Sequence, residues 1–151
     1  MHRSRSGLSL VEIIISIAII AILTGVYFLV ANPAGQLAGA RNSRRIADLQ
    51  SIMLGIRQNI ADQGNGQFGC ASGSVPTSTK NMGSATGSYN IAPCLVPTYL
   101  ALMPTDPSAS SAYYNSPTDY NAGYSIKMNA SGSITLSAPS AELNKTITNT
   151  R

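Results

Sequence analysis

The chain has no tryptophan, two phenylalanines and one histidine, His2, and charged residues make up only 11% of it. Each scarcity excludes something. With its histidine at the extreme N-terminus, the chain offers Cys70 and Cys94 no imidazole for a metal pair. A catalytic thiol would lack its base for the same reason. No Ser/His/Asp set, metal-ligand cluster or glycine-rich phosphate loop can be read, so the sequence argues against an enzyme and implies no cofactor. The net charge is +4 and falls to +2 without Arg3 and Arg5, too slight to argue by itself for nucleic acid. No internal repeat or second domain boundary is visible, and 151 residues suit one domain.

What is abundant is apolar sequence at one end. Gly7 to Ala31 reads GLSLVEIIISIAIIAILTGVYFLVA, with one charge, Glu12, near its start. From Leu8 onward this is long enough as a helix, at roughly 36 Å, to cross a hydrocarbon core of about 30 Å. A carboxylate in such a segment is costly, about 2.5 kcal/mol or more near mid-bilayer and less towards the edge. Glu12 is therefore a functional candidate if a partner can be named. A secretory signal peptide would have a shorter apolar core and an A-x-A-type site after it. A plain signal anchor accounts for the length but leaves Glu12 unexplained. A buried soluble helix would need a larger core than this chain can build.

In front of the run stands MHRSRSG, a short basic leader ending in Gly7. A small residue before an apolar helix, with a glutamate five positions beyond, resembles the processing site of type IV prepilins. That resemblance implies cleavage by prepilin peptidase between Gly7 and Leu8, N-methylation of Leu8, and an assembly role for Leu8 and Glu12. The family most often has phenylalanine where this chain has Leu8. The implied partners are identical subunits in a helical filament, membrane lipid before assembly, a pilus assembly platform, and DNA or a host surface. The implied location is a single-pass cytoplasmic-membrane protein with its N-terminus inside, then an extracellular filament. Arg3 and Arg5 agree with that orientation by the positive-inside rule, while Arg41, Arg44 and Arg45 blur the count. Adhesion, twitching motility and DNA uptake are tasks of such filaments. Two alternatives stand beside the pilus subunit: a pseudopilin of a type II secretion system, and a membrane-anchored binding module.

The expected organisation is a cleaved leader over 1–7, an apolar helix over 8–31, an amphipathic continuation over 32–64 and a loop-rich head over 65–151. Asn32-Pro33 interrupts the helix, either as a bend or with Asn32 capping a second helix that starts at Pro33. Ala31, Gly35 and Gly39 recur every four residues, which allows close helix approach or simply adds flexibility. Ile46, Leu49, Ile52, Met53, Ile56 and Ile60 form one apolar stripe at helical spacing. Arg41, Arg44, Arg45 and Arg57 are expected on solvated faces, with Asp48 pairing to Arg44 or Arg45. Gly64 supplies a C-cap.

In the head, two cysteines in a translocated domain most simply pair. Closing a Cys70–Cys94 loop of about 25 residues is worth roughly 3.5 kcal/mol in the chain-entropy model. The run from Tyr99-Leu100 to Met103-Pro104-Thr105-Asp106-Pro107 resembles a segment of major pseudopilins, many of which bind calcium in the loop that follows. Asp106 and Asp119 are candidate calcium ligands, or turn residues. Tyr124, Ile126 and Met128, then Ile134 and Leu136, alternate about an Asn129–Gly132 turn and predict a β-hairpin over 123–137. Ala112-Tyr113-Tyr114 suggests a short strand, and KTITNTR an edge strand or a loose tail. The expected fold is α+β and pilin-like: a long N-terminal helix, apolar then amphipathic, with a small antiparallel head.

Overall fold

The computed structural model describes Gly7 and residues 9–151, apart from the side chains of Leu29 and Ala31. It divides into two compact units, Met1–Leu37 and Ala38–Arg151.

In the first unit, helix α1 runs Leu10–Ala31. Its isoleucines and leucines point in every direction, and those described are exposed, from Ile13 at 46% to Val30 at 79%. A helix apolar all round finds no water-compatible face. It is long and apolar enough to cross a membrane. Its serine and threonine hydroxyls are satisfied within the helix: Ser16 Oγ donates to the Glu12 carbonyl and Thr24 Oγ1 to that of Ile20, both at 2.7 Å. Such back-bonding lets polar residues sit in apolar surroundings.

Asn32 ends α1 with φ 35° and ψ 63°, the left-handed conformation that asparagine tolerates better than most residues. Helix α2, Pro33–Gln63, starts at the next residue. The Asn32 side chain accepts a hydrogen bond from the Gly35 N–H at 3.2 Å, and its carbonyl accepts from Gln36 N–H. Of the two expected outcomes, the capped second helix with proline at its first position is the one adopted. A side chain at Gly35 would come within 2.7 Å of the capping amide, so that glycine leaves room for the cap.

In the second unit, α2 from Ala38 onward lies against a five-stranded antiparallel sheet. Its strands are β1 (Lys80–Gly83), β2 (Tyr113–Ser116), β3 (Asp119–Met128), β4 (Ile134–Ser137) and β5 (Thr148–Thr150), and a short helix α3 (Ala92–Leu95) precedes β2. The order is β1-β3-β4-β5, with β2 also paired to β3. Strand β3 is the spine. It meets β4 over its C-terminal half, β2 over its N-terminal half, and β1 from Asn121 to Ile126. The β3–β4 hairpin places Met128 opposite Ile134 and Ile126 opposite Leu136. Its turn closes through Asn129 N–H to the Ser133 carbonyl, with Gly132 at φ 79°. Tyr113 and Tyr114 do form a strand, and the tail forms edge strand β5. Strand β1 lies in a stretch that reads as loop: a four-residue strand with burial pairing only at Met82 and Gly83 carries almost no periodic signal.

Tyr120, Ala122, Tyr124 and Ile126 of β3, with Leu136 of β4, are buried against Leu49, Ile52, Met53 and Ile56 of α2. One member of the expected stripe departs: Ile46 is exposed. The helix instead buries Ala38, Asn42, Arg45, Leu49, Ile52, Ile56 and Asn59, which repeat at intervals of three and four. Asn59 ties the cysteine loop down, exchanging hydrogen bonds with the backbone N–H and carbonyl of Gly69 at 2.8 and 3.1 Å. Beside it Cys70 and Cys94 are joined, their Cα atoms 5.2 Å apart.

Candidate functional site

The N-terminal candidates are placed as far as the described residues go. Gly7 is exposed and outside any helix or strand, while Leu8 lies outside the described residues, so neither the expected cut nor the expected methylated amine has a geometry here. Ser9 stands at the N-cap of α1, and its carbonyl receives the N–H groups of Glu12 and Ile13. Glu12 therefore sits in the first turn, where a carboxylate complements the helix dipole. It is exposed, and among the described residues no donor reaches its carboxylate.

The second cluster belongs to the head and was not expected. Arg45, read from sequence as part of a solvated face, is fully buried. Its guanidinium makes a two-pronged pair with Asp106, Nε to Oδ2 at 2.8 Å and Nη2 to Oδ1 at 3.0 Å. Nη1 donates to Asn42 Oδ1 at 2.8 Å and Glu142 Oε2 at 3.0 Å, and Nη2 donates to Ser108 Oγ. All five N–H donors of the fork find acceptors, the condition under which a buried charge is tolerated. Arg41 grips Glu142 from the other side at 2.6 and 2.7 Å. Asn42 bonds the Glu142 backbone both ways, Nδ2 to its carbonyl and Oδ1 from its N–H.

The electrostatics follow from these contacts. Burial by itself would raise the Asp106 carboxyl, but the Arg45 bond and the N–H groups of Ser108 and Ala109 outweigh it and hold it below the ordinary range. Hydrogen bonds from Arg41 and then Arg45 hold Glu142 down to about 2. Burial, followed by the bond to Asp48 at 2.7 Å, raises the Tyr124 phenol.

The two calcium candidates are thus taken up separately. Asp106 faces Arg45, and Asp119 accepts from Tyr113 Oη at 3.0 Å and Asn115 Nδ2 at 2.9 Å beside the β2–β3 turn. Among the described residues no three His, Cys, Asp or Glu side chains gather as a metal site would require. Asp48 lies 3.9 Å from Arg44, one of the two arginines expected to pair with it. The sequence reading missed Arg41, Asn42, Ser108 and Glu142. A signal for Asn42 and Arg45 was present, since they continue the three-and-four spacing of Leu49, Ile52 and Ile56.

Residues 2–28 match the family model of the prokaryotic N-terminal methylation motif. Neither the curated proteins nor the solved structures compared with the chain gave a match. The motif, together with an apolar helix that carries one carboxylate in its first turn, fits a membrane-anchored substrate of prepilin processing. With its long N-terminal helix and small antiparallel sheet, the chain has pilin-like α+β architecture, and its N-terminal motif is consistent with a type IV pilin or pseudopilin. The motif points to a structural protein and implies processing by prepilin peptidase and assembly into a filament.

Proposed function

We propose that this chain is the repeating subunit of an extracellular type IV pilus-like filament, drawn from a membrane pool after removal of residues 1–7. The observation that carries this is the Glu12 carboxylate behind the methylation motif, unpartnered among the described residues, on a helix that exposes apolar side chains in all directions. Cleavage after Gly7 would create a cationic amine on Leu8. In an apolar filament core both charges would be heavily penalised alone. A neighbouring subunit displaced along the fibre can bring its Leu8 amine to this Glu12, so that only the correct stagger neutralises both. The filament would serve adhesion, twitching motility or DNA uptake.

The processing step is tested by intact-mass measurement of surface protein. Wild type is expected to begin at Leu8 with one added methyl group, and Gly7→Asp to retain its leader. Assembled wild-type protein still beginning at Met1 overturns the reading.

A second reading, a pseudopilin of a type II secretion system, is favoured by one feature, the run from Tyr99 to Pro107 that resembles major pseudopilins. The disulfide and the absence of tryptophan and further acids from the following loop favour the pilus. Gene neighbours separate the two: a retraction ATPase accompanies a pilus, an outer-membrane secretin with secretion partners a pseudopilus. A membrane-anchored binding module would not be recovered as the repeating unit of a purified fibre.

A further inference from the structure

The strands at the two ends of the order β1-β3-β4-β5 have differing outer edges. Strand β1 is covered by Tyr89, whose N–H bonds the Asn81 carbonyl at 2.8 Å and whose carbonyl accepts from Gly83 N–H. Strand β5 has no strand beyond it among the described residues. Ile134 and Arg151 exchange backbone hydrogen bonds at 2.6 and 3.0 Å, and Ala138 N–H donates to the Ile147 carbonyl at 3.0 Å. Antiparallel pairing alternates along a strand, so Ile147, Asn149 and Arg151 turn their backbone groups towards β4. Thr148 and Thr150 turn theirs outward.

Between β5 and α2 runs a groove of about 470 Å³. Leu49 and Met53 form its floor, and Ile46 and Leu54 stand on its wall, 46% and 56% exposed. The charged side chains of its lining are Arg57 and Arg151, with no aspartate or glutamate among the lining residues. Neither cation forms an ion pair among the described residues.

We infer that this groove receives an extended, acidic strand of a partner protein, added to the open edge of β5. The Thr148 and Thr150 backbone groups supply the main-chain bonds of strand addition. Alternate side chains of the incoming strand fall over Ile46 and Leu54, and a carboxylate meets Arg57 and Arg151 in charge-assisted bonds. A helix in the groove would leave the outward N–H and C=O groups of β5 unpaired by protein. A second copy of the chain fits less well, because its acids are few and engaged. Asp48, Asp62, Asp106, Asp119 and Glu142 already accept hydrogen bonds from Tyr124, Tyr99, Arg45, Tyr113 and Arg41. The remaining acid, Glu12, lies on a helix. The groove lies wholly within the head, so its occupancy does not depend on cleavage or filament assembly.

The test is an anisotropy titration of the full chain in detergent micelles with fluorescein-labelled Val-Thr-Val-Thr-Val-Asp-amide. Companion peptides carry lysine in place of aspartate, or N-methyl groups on alternate residues in both phases. The aspartate peptide is expected to bind, the lysine peptide about tenfold more weakly, and the peptide N-methylated in the phase that pairs with β5 not measurably. Thr150→Pro removes an outward N–H and spares the ladder to β4, so binding should vanish with unchanged thermal unfolding. Arg57→Glu should reverse the preference between aspartate and lysine. If Thr150→Pro disturbs folding, the N-methylated peptides decide the strand geometry on the wild-type chain. Equal binding of aspartate and lysine peptides, undiminished binding of both N-methylated forms, or no binding of any peptide overturns the inference. So does self-association that Arg57→Glu abolishes, which assigns the groove to a second copy.

Discussion

Arg45 shows what one side chain can do to a small head. It is buried with Asp106, and its own solvation is replaced by five hydrogen bonds from one fork. Removing one partner of such a pair leaves the other charge uncompensated, which costs about 3–5 kcal/mol. Arg45→Ala should lower the unfolding free energy by that amount in denaturant titrations. Arg45→Met combined with Asp106→Asn should recover part of it, because the amide keeps an acceptor for the Ser108 and Ala109 N–H groups. Equal stability of the single and double variants would show that the pair is not the source of the loss. The same residues set the acid limit. Asp106 and Glu142 have depressed pKa values in the folded head, Glu142 at about 2, against about 4 for such groups when unfolded. The unfolded chain therefore binds more protons in this range, and stability rises with pH there. The contribution is complete above about pH 5 and is lost as pH falls through 4 towards 2. Thermal midpoints measured between those limits should fall, and Glu142→Gln should flatten the decline. Arg45 was legible in part: its spacing from Leu49 and Ile52 placed it on the buried stripe. Its charge argued for solvent, and only the approach of Asp106, 61 residues on, reverses that argument.

Among the elements, β3 carries the head, and Gly123 is the position at which it admits the loop before β2. Gly123 has φ 73°, and a Cβ there would stand 2.9 Å from the Asp106 Cβ and 3.2 Å from that of Ala112. The Asp106 N–H meanwhile bonds the Ala122 carbonyl at 2.9 Å. The glycine thus serves the ion pair at a distance: it lets the loop lie close enough for Asp106 to reach Arg45. Gly123→Ala combines left-handed strain with these short contacts and should cost roughly 1–3 kcal/mol, read as an earlier unfolding midpoint. Gly132→Ala, left-handed but with open space around it, should cost less. A loss at Gly132 equal to that at Gly123 would remove the loop's approach as the cause. The hairpin of β3 and β4 was readable because period-two alternation and a glycine turn are local signals. Strand β1 was not, because it is held by its pairing with β3 rather than by a pattern of its own.

For the whole molecule, the consequence proposed for the N-terminal unit is assembly. Glu12→Leu should leave membrane insertion and cleavage intact, since neither requires a charge inside the apolar helix. Filament yield relative to the membrane pool should nevertheless fall well below wild type, with Glu12→Gln between the two. Normal filament yield from Glu12→Leu would refute register selection by the Leu8–Glu12 pair. The apolar helix, its lone carboxylate and the interruption at Asn32-Pro33 could all be read along the chain. Each depends on the residues' own chemistry: hydrocarbon surface is a property of composition, and proline removes a helix donor wherever it stands. The side of α2 that becomes interior is another matter. Arg45 is buried and Ile46 exposed because the sheet, the Asp106 loop and Glu142 converge on one face from positions far along the chain. Adjacent residues of a helix point about 100° apart, so the docking direction of those distant segments alone settles which of the two neighbours is enclosed.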